Sequence, residues 1–366
     1  MMITKPKHLY LHVPFCRTIC AYCDFCHVGY QETVAEQWLE AITTDIQNRH
    51  LNENLVTIYI GGGTPTALSS SQLDQLLSLL DPYARMVQEY TIEINPETFD
   101  EDKAKILQKH GVNRASIGFQ TSDEKLLQMM NRHHRLEDVA ETMRLLRKYG
   151  IDNISLDLMY SLPTQTMESL EKSLQDAIAL EPTHLSLYSL TIEPNTVFAK
   201  KGYEHLEDDI EADMYEWICN FLPKYGFVQY EISNFAKENM ISIHNCAYWN
   251  YQDFYGIGCG ASGLEGSTRY DIPKNVRRYI KDSSIKDTIE LAPQDQMFEA
   301  VMMGLRLKEG MNIQLFEERF HTSVVEVYRT QINKLCNEGK LELGGNCLRC
   351  SEDGFEILNS ILLEFM

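Results

Sequence analysis

Cys16-Arg17-Thr18-Ile19-Cys20-Ala21-Tyr22-Cys23 sets three thiols in a C-x3-C-x2-C array directly after an apolar run, Leu9-Tyr10-Leu11-His12-Val13. Three cysteines this close can ligate three irons of a cubane and leave the fourth iron open. An open iron can bind a small molecule, whereas four thiolates make a closed electron carrier. Zinc usually takes four ligands, as C-x2-4-C pairs parted by a loop. Buried structural thiols are the plainer alternative. Tyr22 and Phe25 are expected to shield a cluster here and tune its potential. Cys26 extends the run to C-x3-C-x2-C-x2-C. It is either a fourth thiolate or a packed free thiol. The second reading is preferred, because two residues are little chain to wrap back to the remaining iron.

Working outward, the first half alternates short β-rich runs with helix-period runs. Strands are expected at Leu9–Val13, Val56–Ile60, Tyr90–Ile94, Ala115–Phe119, Ile154–Met159 and Leu185–Leu190. These runs are continuously apolar or nearly alternating, as in a buried parallel sheet. Helices are expected at Thr33–Arg49, Ser70–Leu80, Asp102–His110, Leu136–Tyr149 and Met167–Leu180. Ser caps, C-terminal glycines and Pro182 punctuate them. Six βα units imply right-handed crossovers and are too few for an eight-stranded barrel. The expected fold is therefore α/β, a partial (β/α)6 barrel.

From about residue 200 the pattern changes. A helix at Glu211–Pro223 and a strand at Phe227–Ile232 precede Ser233–Gly266, rich in His, Asn, Tyr and Gly. Helices at Asp295–Leu307, Ile313–His321 and Val324–Glu338 lead to strands near Leu341–Leu343 and Phe355–Ile357, a winged-helix-like pattern. The expected divisions are 1–200 for the barrel, 201–290 for a middle α+β segment covering its open side, and 291–366 for a small C-terminal helical module.

A chain of 366 residues can bury a large core. Its net charge of -20 repels phosphate backbones, so nucleic acid is not expected as the main partner. No apolar run reaches about 18 residues, so no membrane span is expected, though peripheral association stays open. Met1 to His8 holds no apolar signal segment. A reduced, cytoplasmic setting follows, where clustered cysteines mean metal rather than disulfides.

Gly61-Gly62-Gly63-Thr64-Pro65-Thr66 directly follows the second strand. Glycines let a backbone approach a ligand closely. Glu93, Asn95 and Gln120 end later strands, Asp157 lies within the fifth, and Arg132 follows in Asn131-Arg132-His133-His134. Any one of them suits a structural hydrogen bond. Several on one rim suggest a polar ligand such as a ribose with an amino acid head.

Tyr10-Leu-His-Val-Pro-Phe-Cys16, the cysteine triple, the Gly-Gly-Gly-Thr-Pro-Thr turn, Ile117-Gly-Phe-Gln120 and Asp157-Leu-Met-Tyr-Ser-Leu-Pro-Thr-Gln-Thr166 together resemble the radical S-adenosylmethionine (SAM) proteins of the oxygen-independent coproporphyrinogen III oxidase group. The resemblance covers nearly the whole chain. It implies a 4Fe-4S cluster on Cys16, Cys20 and Cys23, with SAM on the open iron. It also implies SAM contacts at Tyr10, Tyr22, Gly62, Gly63, Thr64, Glu93, Gln120, Arg132 and Asp157.

The porphyrinogen-oxidising branch carries a functional Cys two positions after the third ligand. Phe25 stands there instead, with Cys26 one position late. Cys23-Asp24-Phe25, Glu231-Ile-Ser-Asn-Phe-Ala236, His244-Asn-Cys-Ala-Tyr-Trp249 and Tyr255-Gly-Ile-Gly-Cys-Gly-Ala-Ser-Gly263 resemble the HemW-type heme chaperone branch. By that resemblance His244-Asn-x-x-Tyr-Trp249 is associated with heme. An imidazole suits iron, and Tyr248 and Trp249 could stack on a macrocycle. A core aromatic cluster with a satisfied His is the plainer reading. Cys246 and His12 are weaker candidates, and Cys347-Leu-Arg-Cys350 reads as incidental.

The leading expectation is a heme-binding protein that passes heme to an acceptor protein, with SAM, the cluster and an electron donor assisting. The rival is a true oxidase that decarboxylates coproporphyrinogen III to protoporphyrinogen IX. Phe25 argues against it. A third reading is a closed four-thiolate electron carrier using Cys26.

Overall fold

The computed structural model describes residues 5–366. Residues 1–4, on which the reading of Met1 to His8 partly rests, lie outside the described residues. Six strands form the barrel wall: β1 (His8–Val13), β2 (Thr57–Gly62), β3 (Glu89–Ile94), β4 (Arg114–Gln120), β5 (Asn153–Tyr160) and β6 (His184–Ser189). They pair in chain order and in parallel. The expected crossover helices are α1 (Glu32–Arg49), α2 (Ser70–Leu80), α3 (Glu101–Lys109), α4 (Leu136–Lys148) and α5 (Met167–Ala179). Local chemistry fixes their starts. Ser69 and Gln72 exchange side-chain and backbone bonds in a capping box on α2. Thr166 accepts from the Ser169 amide and caps α5.

Of the continuous or nearly alternating apolar runs expected, the strands take the alternating form. Leu11, Ile60, Ile92, Ile117, Leu156 and Leu185 belong to the main apolar core under the helices. The residues between them alternate to the other face. That inner row holds Tyr59, Glu93, Arg114, Ser116, Asp157 and Ser186, and it lines a cavity. The outer face is greasy and the inner face polar.

Beyond residue 200 come α6 (Asp208–Phe221), β7 (Val228–Gln229), β8 (Asn234–Ala236), α7 (Ile243–Trp249), β9 (Phe254–Ile257), β10 (Ser262–Glu265), β11 (Thr268–Asp271) and β12 (Asp287–Glu290). The sheet runs β12-β11-β10-β9-β1-β2-β3-β4-β5-β6-β8-β7. This stretch therefore extends both edges of the barrel sheet, with β9 parallel to β1. The strand expected at Phe227–Ile232 shrinks to β7. The chain turns at Glu231, whose buried carboxylate accepts from the Ser233 amide and the Asn234 side chain.

The C-terminal part has its own apolar core, including Val301, Phe316, Ile332 and Leu348. It contains α8 (Pro293–Gly304), β13 (Met311–Asn312), α9 (Ile313–Phe320), α10 (Arg329–Asn337), β14 (Leu341–Gly344) and β15 (Cys347–Cys350). The helix expected over Val324–Glu338 breaks at Tyr328. The strand expected at Phe355–Ile357 is helical. Gly345 and Asn346 both take positive φ and close a two-residue hairpin, so β15 is the partner strand. Ser351 then caps a helix over Glu352–Glu356 by accepting from the Gly354 amide. Cys347 and Cys350, three apart on β15, point to opposite faces and cannot share one ion. Among the described residues no helix is long and apolar enough to cross a membrane.

Trp38 on α1 is fully buried and meets Phe15 edge-on, with ring centroids 5.5 Å apart. Phe15 directly precedes Cys16, so this contact ties the helix layer to the cysteine loop. Trp38→Ala is expected to lower stability by about 3–5 kcal/mol. A urea titration should show a lower midpoint at unchanged slope.

Candidate functional site

The cysteine loop starts where β1 ends. Phe15–Cys16 pairs with Val28–Gly29 in a short parallel bridge, which closes the loop carrying Cys20 and Cys23. The Gly63 amide donates to the Val13 carbonyl over 2.8 Å, laying the glycine turn beside that loop. A Cβ at Gly63 would stand 2.9 Å from the Phe15 carbonyl oxygen and 3.1 Å from Cys16 Sγ. Only glycine permits that approach. Cys16, Cys20 and Cys23 all line one cavity of about 540 Å³ at the C-terminal ends of the strands, the edge where such sheets bind ligands.

Burial pushes the Cys16 thiol up to about 12 and the Cys23 thiol up to about 11. Binding a metal there would release their protons. Donors stand ready for the thiolates: Thr64 Oγ1 lies 3.8 Å from Cys16 Sγ, and Arg132 Nη1 lies 3.5 Å from Cys20 Sγ. Among the described residues no three His, Cys, Asp or Glu converge closely enough to hold a single ion. A zinc knuckle therefore does not fit. Three soft sulfurs around one cavity fit an iron–sulfur cluster better.

Of the nine expected SAM contacts, Tyr22, Gly62, Gly63, Thr64, Glu93, Gln120, Arg132 and Asp157 line this cavity. Tyr10 does not. Its hydroxyl bonds His12 Nδ1 over 2.9 Å, and its ring lies against Tyr59. Glu93 accepts from the Tyr59 hydroxyl and the Gly62 amide, each over 2.9 Å. Burial, with the Asp157 charge nearby, pushes Glu93 up to about 7. Asp157 accepts from Ser116 Oγ over 2.9 Å, and burial raises it too. Gln120 has φ +62 at a register shift in β4, a kink of the kind that re-aims a side chain.

Tyr59, Arg114, Ser186, Tyr188 and Asn245 also line the cavity and were not singled out from the sequence. For the strand residues the signal was available. Each lies at an even spacing from a cavity residue along its own strand or shares its inward row.

His244 lies outside the cavity lining. Its ring is buried, with Nδ1 2.7 Å from Thr57 Oγ1 and Nε2 2.7 Å from the Tyr248 hydroxyl, and it stacks on Tyr59 at 5.1 Å. Burial holds its pKa well below the usual histidine range. His12 is likewise satisfied, by Tyr10 and the Cys26 carbonyl, and burial pushes it down to about 4. The Cys26 thiol points away from the cavity, 3.8 Å from Cys259 Sγ. Cys246 is half-buried on α7 beside His244. Phe25 is 69% exposed at the cavity edge, so it shields a cluster less than expected.

An open parallel barrel with a three-cysteine loop and a glycine turn at one rim defines a radical SAM protein. The family model of the Radical SAM superfamily matches residues 10–177, and that of the HemN C-terminal domain matches residues 291–357. Within that superfamily the chain belongs to the family of the heme chaperones HemW. It is 36% identical to heme chaperone HemW of Lactococcus lactis, over 100% of this chain and 98% of the relative. It is 33% identical to that of Escherichia coli over the full length of both. The solved structure of coproporphyrinogen III oxidase (HemN) from Escherichia coli shares the fold at a TM-score of 0.84 and 21% identity, covering 99% of this chain and 90% of that one. Membership of the superfamily implies a 4Fe-4S cluster and SAM.

Two outcomes follow. Cys16→Ala, Cys20→Ala and Cys23→Ala should each lose iron after anaerobic reconstitution, whereas Cys26→Ser should retain it. Iron and sulfide analysis decides, and loss in Cys26→Ser would make Cys26 a ligand. For Glu93, the folded pKa of about 7 lies above its ordinary 4.5. The stability its protonated form lends is complete below pH 4.5 and is lost as pH rises through 7. Glu93→Gln should therefore gain on the wild type by on the order of 3 kcal/mol between pH 4 and pH 8, measured by urea unfolding at each pH.

Proposed function

We propose that this protein binds heme and passes it to an acceptor protein, and that it carries a three-cysteine 4Fe-4S cluster with exchangeable SAM. The observation that carries the reading is Phe25, which stands where the oxidising branch has a functional Cys, in a chain whose full-length relatives are named heme chaperones. The proposed division is a barrel over 1–200, a middle segment over 201–290 and a C-terminal module over 291–366. All ten cysteines are free, which suits a reduced, cytoplasmic compartment.

When bound, the cluster supplies an electron and its open iron a place for the methionine end of SAM. Cys16, Cys20 and Cys23 would hold the cluster. Gly62 and Gly63 offer backbone groups to the amino acid head, and Arg132 places a cation beside the loop. Gln120 and Asp157, which line the same cavity, would hydrogen-bond the ribose of SAM. The heme segment is His244-Asn-Cys-Ala-Tyr-Trp249. Ligation by His244 requires its imidazole to exchange Thr57 or Tyr248 for iron, so heme binding there loosens α7. A low-potential electron donor and the acceptor complete the cycle.

Anaerobic titration with heme tests this. A Soret shift that His244→Ala weakens at least about tenfold supports the reading, a loss of the size expected for an axial ligand. No shift in the wild type overturns it. Incubation with coproporphyrinogen III, SAM and dithionite should yield no protoporphyrinogen IX; formation of that product would establish the oxidase instead.

A further inference from the structure

Arg114 opens β4, so its side chain starts at the N-terminal end of the barrel and points inward. It is 2% exposed. Among the described residues its guanidinium makes no hydrogen bond or ion pair with any side chain or carbonyl, and its buried Nε is unpartnered. A guanidinium stays charged at any physiological pH. A buried charge without a partner costs several kcal/mol, so a native chain retains one where something else completes it.

The two carboxylates of the same interior do not complete it. Glu93 is taken by Tyr59 and the Gly62 amide, and Asp157 by Ser116 and Ser155. Burial raises both, while the Arg114 charge draws both down. Glu89, at the lower end, is taken by the amides of Ile243 and His244, so no carboxylate of the interior bonds Arg114 directly.

A second side chain reaches the same place. Asn245 on α7 lines the cavity, and among the described residues its side-chain amide makes no hydrogen bond, while its backbone amide donates to Ser242 Oγ. The segment associated with heme thus touches the cavity through Asn245, while its neighbour His244 faces Thr57 and Tyr248. Tyr59 and Tyr188 add aromatic surface alongside. The cluster-bound end of SAM is a poor fit to this position. Gly118, whose carbonyl accepts from Arg132 at the rim, is four residues further along the strand than Arg114. At the usual strand rise their Cα atoms are about 13 Å apart.

We infer that Arg114 and Asn245 form a carboxylate-binding floor inside the barrel, and that the carboxylate it takes is a propionate of heme. The inference rests on the heme reading above. The planar guanidinium receives a carboxylate bidentately, and the Asn245 amide can add a third donor.

The test uses the full-length, anaerobically reconstituted protein and two probes, heme and heme dimethyl ester, whose propionates carry no charge. Arg114→Gln should weaken heme binding by roughly 10- to 100-fold, the range for a buried charge-assisted pair. Arg114→Lys should restore part of it, and Asn245→Asp should weaken it by placing a carboxylate against the ligand. The ester should bind the wild type as weakly as heme binds Arg114→Gln, and should not respond to that substitution. SAM affinity, read from the spectrum of the reduced cluster, should stay within about twofold and shows that the variants are folded. Equal heme affinity in Arg114→Gln and wild type overturns the inference alone. So does a loss the ester shares, or a parallel loss of SAM, which would assign the carboxylate to SAM. No heme binding by the wild type overturns the proposed function and this inference together.

Discussion

A polar row enclosed by an apolar one is the constraint on which this barrel depends. Inward groups are largely withdrawn from bulk water, so those without a partner leave a cost of a few kcal/mol. Glu93 shows how the cost is met. One carboxylate oxygen takes the Tyr59 hydroxyl and the other takes the Gly62 amide. The same two bonds hold the glycine turn at the height of the cysteine loop. Satisfying a buried acid and shaping a ligand site are here one arrangement.

The lower end is closed by the same logic. Glu89 accepts from the amides of Ile243 and His244 and so stands at the start of α7, where a negative charge is favoured. Thr57 and Tyr248 hold the His244 ring between them, and Tyr59 stacks on it. Tyr59 then bonds Glu93. A single chain of contacts therefore runs from α7 to the glycine turn. Any change at His244 is felt by Tyr59, which faces the cavity.

Much of this is legible in the sequence alone. Strand and helix limits in the first half came within a residue or two, because apolar runs there are bounded by Ser and Thr caps and by glycines. The cysteine array, the glycine turn, Glu93, Gln120 and Asp157 are readable because each ends a strand or interrupts an apolar pattern, whereas Arg132 is marked only by the family resemblance. Arg114 and Asn245 are not readable in this way. Arg114 begins a strand, where a charged residue looks like an ordinary flank unless its even spacing from Ser116 and Gln120 is followed, and Asn245 sits in a helix whose place beneath the barrel is set by contacts distant in sequence. The hairpin strand β15 was missed for a local reason: Gly345 and Asn346 turn the chain earlier than the apolar Phe355 suggested. For His244 the sequence leaves both iron ligation and a satisfied core histidine open, since no sequence pattern reveals that Thr57, nearly two hundred residues earlier, holds its ring.

The order of the sheet has a consequence for how the chain comes into being. β1 is an interior strand, flanked by β2 on one side and by β9 on the other, with His8 beside Phe254. Until residues 254–257 have left the ribosome, one whole edge of β1 carries unmet peptide groups, and the cysteine loop hangs from an unfinished ladder. Pairing across so long a separation is slow. Loading iron before that last strand arrives would anchor the cluster to a frame still open on one side, so assembly and metallation are matters of timing as well as of affinity.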